Sequence, residues 1–207
     1  MSEYLNWRYA TQKFDPVRKI PEAEFLELLE SLRLAPSSYG LQPWKFVVAR
    51  DEGLRKALRK HAWDQPQVTD ASHLIVLCAL KGIDPDYVKD FTARVAKSRD
   101  VAPGSLSGYE QAMLNSLKTM PAQALSDWMK RQVYLALGML LAQCAHKKID
   151  SCPMEGFDAK KFDEILRLKK LDLGSVVLCP IGYRAKDDQY AGLKKVRFAK
   201  NEVFIEK

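Results

Sequence analysis

The residues of this sequence that could take part in chemistry are cations and backbone amides, spread over separate loops. Arg8 lies near the start of the chain, and Lys195 and Arg197 lie near its end. Arginine binds a phosphate through a fork of N–H donors, and lysine binds it as a point charge. The loops 37–40 and 155–156 offer backbone amides that suit carbonyls and ring nitrogens of a ligand. Each feature alone also has an ordinary explanation as a solvated surface cation or a turn.

Motifs for several catalytic classes are missing. There is no G-x-G-x-x-G and no G-x-x-x-x-G-K-[ST], so the sequence has neither a dinucleotide-binding fingerprint nor a P-loop. The three histidines show no metal-ligand spacing, and we expect no metal site. Asp70, Ser72 and His73 are too close in sequence to align as a catalytic triad, so a capped strand entrance is favoured. Segment 104–108 has leucine where a nucleophile elbow needs serine. Hydrolytic catalysis therefore has little support.

Length and composition are those of an ordinary globular protein. The 207 residues suit a single domain over 1–207, and 47% hydrophobic residues allow a substantial core. The formal net charge is +7, but the basic residues are spread along the chain, which disfavours nucleic-acid binding. The N-terminus lacks a signal pattern, so we expect a cytoplasmic protein. No C-x-x-C pair occurs, and we expect small core residues in a reducing compartment at Cys78, Cys144, Cys152 and Cys179.

The elements that must position these loops are organised around one apolar run. Between Val133 and Ala145 only Gly138 and Gln143 interrupt the apolar residues, which predicts a helix buried on every side. Basic residues bound the run, leaving fewer than the about 20 residues needed to cross a bilayer. We therefore expect no membrane association. Because a monomer of this size rarely buries a whole helix, we expect part of its surface to face a second subunit.

Hydrophobic periodicity and capping signals predict the other elements. We expect helices over 21–36, 51–61, 84–99 and 109–120 and after Asp158, of which 109–120 is the most mobile. We expect strands over 44–49, 73–80 and 175–181. The last segment, 203–205, is predicted to be extended and has no hairpin partner, so pairing with another subunit is one solution.

Four segments together resemble the signature blocks of the nitroreductase family, FMN-dependent oxidoreductases that use NAD(P)H. The matching blocks follow one another in the family's order over nearly the whole chain, which makes the resemblance specific. They are 8–15, 36–44, 153–157 and 195–197. The branch that the sequence resembles most is the oxygen-insensitive nitroreductase and dihydropteridine reductase group, whose pattern also includes 70–73 and 132–135.

The resemblance implies an α+β fold, in which helices flank a mostly antiparallel central sheet. It also implies a homodimer whose long helices pack across the two-fold axis and whose C-terminal tail adds a strand to the partner's sheet. Two FMN molecules would lie at the dimer interface, each touched by both chains. The apolar helix and the unpaired segment 203–205 agree with this arrangement.

The resemblance also implies roles for individual residues. Arg8, Lys195 and Arg197 would hold the phosphate and ribityl end of FMN. The backbone amide of Glu155 would lie near the flavin nitrogen N5, and Gly156 would let the chain approach closely. Residues 36–40 would come from the other subunit, and no catalytic side chain is implied. The implied cofactor residues are Arg8, Tyr9, Ala10, Gln12, Pro36, Ser37, Ser38, Gly40, Asp64, Gln67, Pro153, Met154, Glu155, Gly156, Lys195 and Arg197, with Tyr39 and Leu114 on the substrate side.

This sequence departs from the family pattern near the flavin. Gln12 replaces the signature lysine, with Lys13 one place later, and Gln67 stands where lysine is common. Asp64 stands at the neighbouring asparagine position, and Gly40 replaces an asparagine, which removes one side-chain contact. Glutamine donates a hydrogen bond but supplies no charge to the N1 and C2 carbonyl edge. We therefore expect a lower flavin reduction potential than in a relative with lysine.

The resemblance favours a two-step oxidoreductase. NADH or NADPH would reduce FMN and leave, and a small electron-poor acceptor such as a nitroaromatic or a quinone would take its place. One alternative is a relative that reduces a specific metabolite, such as a pteridine, an enone or a halogenated aromatic. A non-catalytic flavin-binding protein or a basic nucleic-acid-binding protein is the alternative from another class.

Overall fold

The strands form one antiparallel sheet in the computed structural model, which describes residues 2–207. They are β1 (Trp44–Ala49), β2 (His73–Leu80), β3 (Asp150–Ser151) and β4 (Leu173–Gly182), in the order β1-β2-β4-β3. The predicted bounds of β1 and β2 are confirmed. The third predicted strand is longer than expected, because β4 stays paired with β2 as far as Leu173.

The helices surround this sheet. They are α1 (Ser2–Trp7), α2 (Glu22–Arg33), α3 (Glu52–Arg59), α4 (Gln67–Asp70), α5 (Pro85–Ser98), α6 (Ser107–Lys118), α7 (Ala122–His146), α8 (Ala159–Ile165) and α9 (Lys200–Val203). Asp51, Asp84 and Asp158 each accept a hydrogen bond from the backbone amide three residues later. The three predicted N-caps are therefore confirmed.

The sheet separates two hydrophobic cores. Because side chains alternate along a strand, Ile75 and Leu77 of β2 enter one core and Leu74 and Val76 enter the other. The first core includes buried residues of α2 and α7, and the second includes those of α3 and α8. All four cysteines are free and buried, as predicted. The fold is thus α+β with an antiparallel sheet, as expected.

Helix α7 is buried on one face only in the single chain, so its burial on every side, which was expected to involve a second subunit, stays a prediction. One face packs in the first core, but Tyr134, Leu135 and Met139 on the other face are 39%, 51% and 43% exposed. The exposed positions recur at helical spacing and form an apolar stripe. No helix within residues 2–207 is long and apolar enough to cross a membrane.

The C-terminal segment forms no strand in the described chain. Val203 ends the short helix α9, and Phe204 and Ile205 are exposed beyond it. Strand β1 lies at an edge of the sheet, since its only strand partner among the described residues is β2. The single chain therefore contains both an unpaired sheet edge and an exposed apolar arm.

Candidate functional site

The two ends of the chain meet at a basic cavity of about 650 Å³. Lys195 Nζ donates hydrogen bonds to two backbone carbonyls, that of Leu5 over 2.6 Å and that of Arg8. These bonds hold the C-terminal segment against the end of α1. The structure thus brings together six predicted site residues from both ends of the sequence. They are Arg8, Tyr9, Ala10, Gln12, Lys195 and Arg197.

Three cations of this cavity lack anionic partners. Within residues 2–207, none of Arg8, Lys195 and Arg197 forms an ion pair with a carboxylate. Arg8 Nε is buried and has no hydrogen-bond partner there. Burial, and then the nearby charges of Arg8 and Arg197, lower the pKa of Lys195. Arg8 and Lys195 are half-buried and Arg197 is exposed. Because the three cations lie together without a carboxylate, this cluster suits a bound anion such as a phosphate.

Asp188 holds the N-terminal loop in place at this cavity. Its buried carboxylate accepts hydrogen bonds from the Tyr9 hydroxyl over 2.8 Å and from the backbone amides of Gln12, Lys13 and Tyr190 over 3.0–3.1 Å. Burial alone would raise the pKa of Asp188, but these bonds lower it overall. The sequence analysis missed this residue, since an aspartate in a polar tail looks like a solvated one.

Arg184 also lines the cavity, but its charge is compensated. Its Nε donates to Asp150 Oδ1 over 2.8 Å, and its guanidinium lies 4.3 Å from the Trp7 ring centroid and 4.5 Å from that of Tyr9. The sequence analysis assigned no role to Arg184, Asp150 or Trp7. Arg184 differs from the uncompensated cations only because the fold brings Asp150 next to it.

The two glutamines at the lysine positions of the family pattern contact each other. Gln67 Nε2 donates to Gln12 Oε1 over 3.1 Å, and Gln12 Nε2 donates to the carbonyl of Ala10 over 3.0 Å. Gln67 is 4% exposed, and its Oε1 has no hydrogen-bond partner among the described residues. The two departures therefore form one uncharged unit.

The turn at Trp63 and Asp64 has an unusual backbone. Both residues have left-handed φ angles, of 52° and 51°, which are uncommon for residues other than glycine. Trp63 is 76% exposed, and its ring lies over Gly156, where an added Cβ would meet the ring at 2.3 Å. Asp64 lines a second cavity, whereas Arg8 lines the basic cavity. Strained backbone is common at functional sites, so Trp63 is a candidate that the sequence analysis missed.

Segment 153–156 offers the free amides that the resemblance implied. The backbone N–H groups of Glu155 and Gly156 donate to no other group among residues 2–207. Gln65 Nε2 donates to the Gly156 carbonyl over 2.8 Å. The Glu155 carboxylate accepts a hydrogen bond from the Tyr134 hydroxyl, and burial together with that bond raises the pKa of Tyr134 to about 12.

Met154 and its neighbour Pro153 differ from Glu155 and Gly156, whose amides are free. The side chain of Met154 is buried in the second core, and its N–H and C=O both bond to Leu178, over 2.9 and 3.0 Å. The backbone of Met154 is thus held by β4, and its role towards a cofactor stays a prediction. Pro153 is half-buried and has no N–H to donate.

Loop 36–40 lies apart from the basic cavity of its own chain, none of whose lining residues it provides. The amide of Ser38 donates to Gln132 Oε1 over 2.8 Å, and Ser37 Oγ accepts from the amide of Gln42 over 2.9 Å. Gly40 has a φ of 74°, and an added Cβ would meet the Phe91 ring at 3.2 Å. The loop is thus held by its own chain but does not complete that chain's cavity. Pro36, at its start, is exposed.

The two residues expected on the substrate side lie at and beside this loop. The Tyr109 hydroxyl of α6 donates to the Tyr39 carbonyl over 2.7 Å, and Tyr39 has a left-handed φ of 57°. Leu114 of α6 is half-buried and packs against the first core. Helix α6 is therefore attached to loop 36–40 through Tyr109.

Several proteins resemble this chain in sequence and in fold. A profile described as "Nitroreductase family" matches residues 5–183. YfkO of Bacillus subtilis is 38% identical over 88% of this chain and 87% of its own length, and SH0546 of Staphylococcus haemolyticus is 35% identical over 88% of each; both are named "Putative NAD(P)H nitroreductase".

Solved structures show the same fold. A protein of Exiguobacterium sibiricum, described as a "putative nitroreductase in complex with FMN", has a TM-score of 0.85 and 25% identity, covering 100% of this chain and 96% of its own. The ydfN nitroreductase of Bacillus subtilis has a TM-score of 0.88 at 23% identity, covering 100% of this chain and 97% of its own, which shows the fold alone. From the family profile and these relatives, the chain belongs to the nitroreductase family.

Proposed function

We propose that this protein is an FMN-dependent oxidoreductase that takes its electrons from NADH or NADPH. The observation that carries the proposal is the cluster of Arg8, Lys195 and Arg197, which has no carboxylate partner within residues 2–207 and includes the buried, unpaired Arg8 Nε. The phosphate of FMN would supply the missing acceptors and charge. The FMN complex of the Exiguobacterium relative and the NAD(P)H names of the sequence relatives support this assignment.

The remaining predicted residues fit the polar edges of a flavin. The free amides of Glu155 and Gly156 can donate hydrogen bonds to ring nitrogens and carbonyls, and the side chains of Gln12 and Gln67 offer amides. FMN supplies the electron transfer, and the protein binds and orients it. No acid–base side chain is then required. We propose nitroaromatics or quinones as acceptors, which take the place of the nicotinamide in a ping-pong cycle.

We also propose that the functional unit is a homodimer of one-domain chains. The exposed stripe of Tyr134, Leu135 and Met139 would pack across the two-fold axis, because contiguous apolar surface on a helix favours a partner. The arm at 203–205 would add a strand to the partner's free β1 edge. Loop 36–40, which does not line the cavity of its own chain, would complete the cavity of the other subunit.

The cofactor assignment is tested by the colour and reactivity of the purified protein. We expect a yellow protein whose flavin spectrum bleaches without oxygen on addition of NADH or NADPH and returns on addition of a nitroaromatic or a quinone. A colourless protein that binds no added FMN and consumes neither nicotinamide would refute the assignment.

The dimer is tested by mass in solution. Leu135→Glu places a charge on the exposed stripe and is expected to yield monomers by light scattering. Leu171→Glu is the matched control, since Leu171 is comparably exposed but belongs to the segment between α8 and β4. A monomeric wild-type protein, or equal masses for the wild type and Leu135→Glu, would contradict the proposal.

A further inference from the structure

Two adjacent residues near the start of helix α6 form hydrogen bonds to different neighbours. The Tyr109 hydroxyl donates to the Tyr39 carbonyl of loop 36–40 over 2.7 Å. The Glu110 carboxylate accepts from the hydroxyl of Thr92, a buried residue of α5, over 2.6 Å. Helix α6 is therefore held by α5 and in turn holds the loop through Tyr109.

The backbone of Tyr39 has a conformation that needs support from its surroundings. Its φ is 57° and that of Gly40 is 74°, so two successive residues are left-handed. This conformation is sterically unfavourable for a residue with a Cβ and persists only where surrounding contacts impose it. Tyr109 holds the carbonyl of Tyr39, and the Tyr87 hydroxyl of α5 holds the carbonyl of Leu41 over 2.8 Å. Tyrosine hydroxyls of two helices thus hold this loop.

The rings of Tyr39 and Tyr109 form an exposed aromatic pair. Their centroids are 6.4 Å apart and their planes are inclined by 61°, which is an edge-to-face arrangement. Tyr39 is 37% exposed and Tyr109 is 39% exposed, so a ligand can reach both rings. The face of an exposed aromatic ring suits a planar aromatic ligand, which stacks on it.

We propose that Tyr109 is a positioning residue, which holds the Tyr39 ring as a stacking surface and thereby sets a preference for planar aromatic acceptors. The inference rests on the proposed function, in which loop 36–40 completes the cavity of the other subunit. Without the Tyr109 hydroxyl, the loop is no longer held at the Tyr39 carbonyl, and the ring loses its fixed orientation. An acceptor without a ring does not stack, so its reaction does not depend on Tyr109.

Re-oxidation of the reduced flavin by two acceptors tests this inference. The flavin of the holoenzyme is reduced without oxygen by one equivalent of NADH or NADPH, and its re-oxidation is followed by stopped-flow absorbance. 1,4-Dinitrobenzene takes two electrons and two protons, so that one nitro group becomes a nitroso group and water is released. Ferricyanide has no aromatic ring, and two ions take one electron each and release two protons from the flavin. Tyr109→Phe should lower the rate constant for dinitrobenzene about fivefold, as expected for one lost hydrogen bond, and leave that for ferricyanide unchanged.

Two further variants show whether Tyr109 acts through Tyr39. Tyr39→Leu removes the ring but keeps the carbonyl, and it should lower the rate constant for dinitrobenzene at least as much as Tyr109→Phe. The double variant should lose no more than Tyr39→Leu, because no ring is left to position. Tyr4→Phe is the matched control, since it also removes a hydroxyl from a half-buried tyrosine but lies on α1, against His146. It should retain both wild-type rate constants.

The outcomes distinguish failure of the inference from failure of the proposed function. An unchanged rate constant for dinitrobenzene in Tyr109→Phe would overturn the inference, and so would an equal loss for both acceptors. A further loss in the double variant would also overturn it, by showing that Tyr109 acts independently of Tyr39. Each of these results would leave the proposed function standing. A wild-type protein that binds no FMN, or whose flavin neither nicotinamide reduces, would refute the proposed function itself.

Discussion

Gln67 Nε2 lies 3.1 Å from Gln12 Oε1, which joins two positions 55 residues apart into one hydrogen-bonded unit. In the family pattern that the sequence resembles, lysine is the signature residue at the first position and is common at the second. Their contact means that the two replacements do not act independently, since the Gln67 amide donates to the Gln12 side-chain oxygen. The two side chains are polar but uncharged, whereas two lysines would carry two positive charges. The first consequence concerns the electrostatics of the site.

Gln12→Lys should raise the flavin reduction potential. A cation beside the flavin favours the negative charge that accumulates on reduction, and a shift of about 30 mV corresponds to about 1.4 kcal/mol for a two-electron couple. The potential is measured by anaerobic redox titration. Gln123→Lys adds the same charge at an exposed, remote site and should leave the potential unchanged. An equal or lower potential in Gln12→Lys would contradict the explanation.

Arg197→Ala should weaken retention of FMN, by about tenfold or more, because a charge-assisted hydrogen bond to phosphate is lost. Equilibrium dialysis measures the affinity, and the stabilisation of the protein by added FMN should shrink with it. Lys118→Ala changes the net charge equally at an exposed position of α6 and serves as control. Equal retention in Arg197→Ala and the control would rule out the phosphate contact.

Glu155→Gln should retain most activity, with kcat/KM within about threefold of the wild type, since the proposed contact is the backbone amide. The glutamine carbonyl can still accept from the Tyr134 hydroxyl. Glu155→Pro removes the N–H itself, so it should lower activity much further in protein that still binds FMN. Loss of activity in Glu155→Gln comparable to that in Glu155→Pro would instead assign the chemistry to the carboxylate.

Gly156→Ala should displace Trp63. The added Cβ would lie 2.3 Å from Cζ3 of the indole, but this ring is largely exposed and can swing away. We therefore expect a small change in melting temperature and a clear change in tryptophan fluorescence, which Trp63→Phe abolishes. A large loss of stability that persists in the double variant Trp63→Ala, Gly156→Ala would show that the backbone, not the ring, resists the methyl group.

His73 should make the protein less stable in mild acid. Burial, and then the charge of Arg50, lower the pKa of His73 from 6.5 to about 4 in the folded state. Between these values the unfolded chain binds a proton that the folded protein excludes, so the free energy of unfolding falls as the pH drops from 6.5 to 4. Denaturant titrations over this range should show a weaker pH dependence for His73→Gln. Identical slopes would contradict the assignment.

The local elements were largely predictable from sequence because their causes are local. The uninterrupted apolar residues of 74–80 and the aspartate caps at Asp51, Asp84 and Asp158 act over a few residues, and the structure confirms the strand and the caps. Residue types also identified the loops that carry cations and amides. The blocks 8–15 and 195–197 were recognised as one site only through the family resemblance, and the structure confirms that they meet.

The pairing of distant groups was decided by the tertiary structure alone. Whether a charge is compensated depends on which segments the fold brings together, and so Arg184 is neutralised by Asp150 while Arg8 is not. The same reason explains why the roles of Asp188 and Trp63 could not be predicted, and why only the fold shows which face of α7 the single chain leaves exposed. The sequence by itself determined which chemical groups are available and which elements form. Only the fold determined which of those groups remain unpaired and free to bind a ligand, because hydrogen-bond partners lie many residues apart.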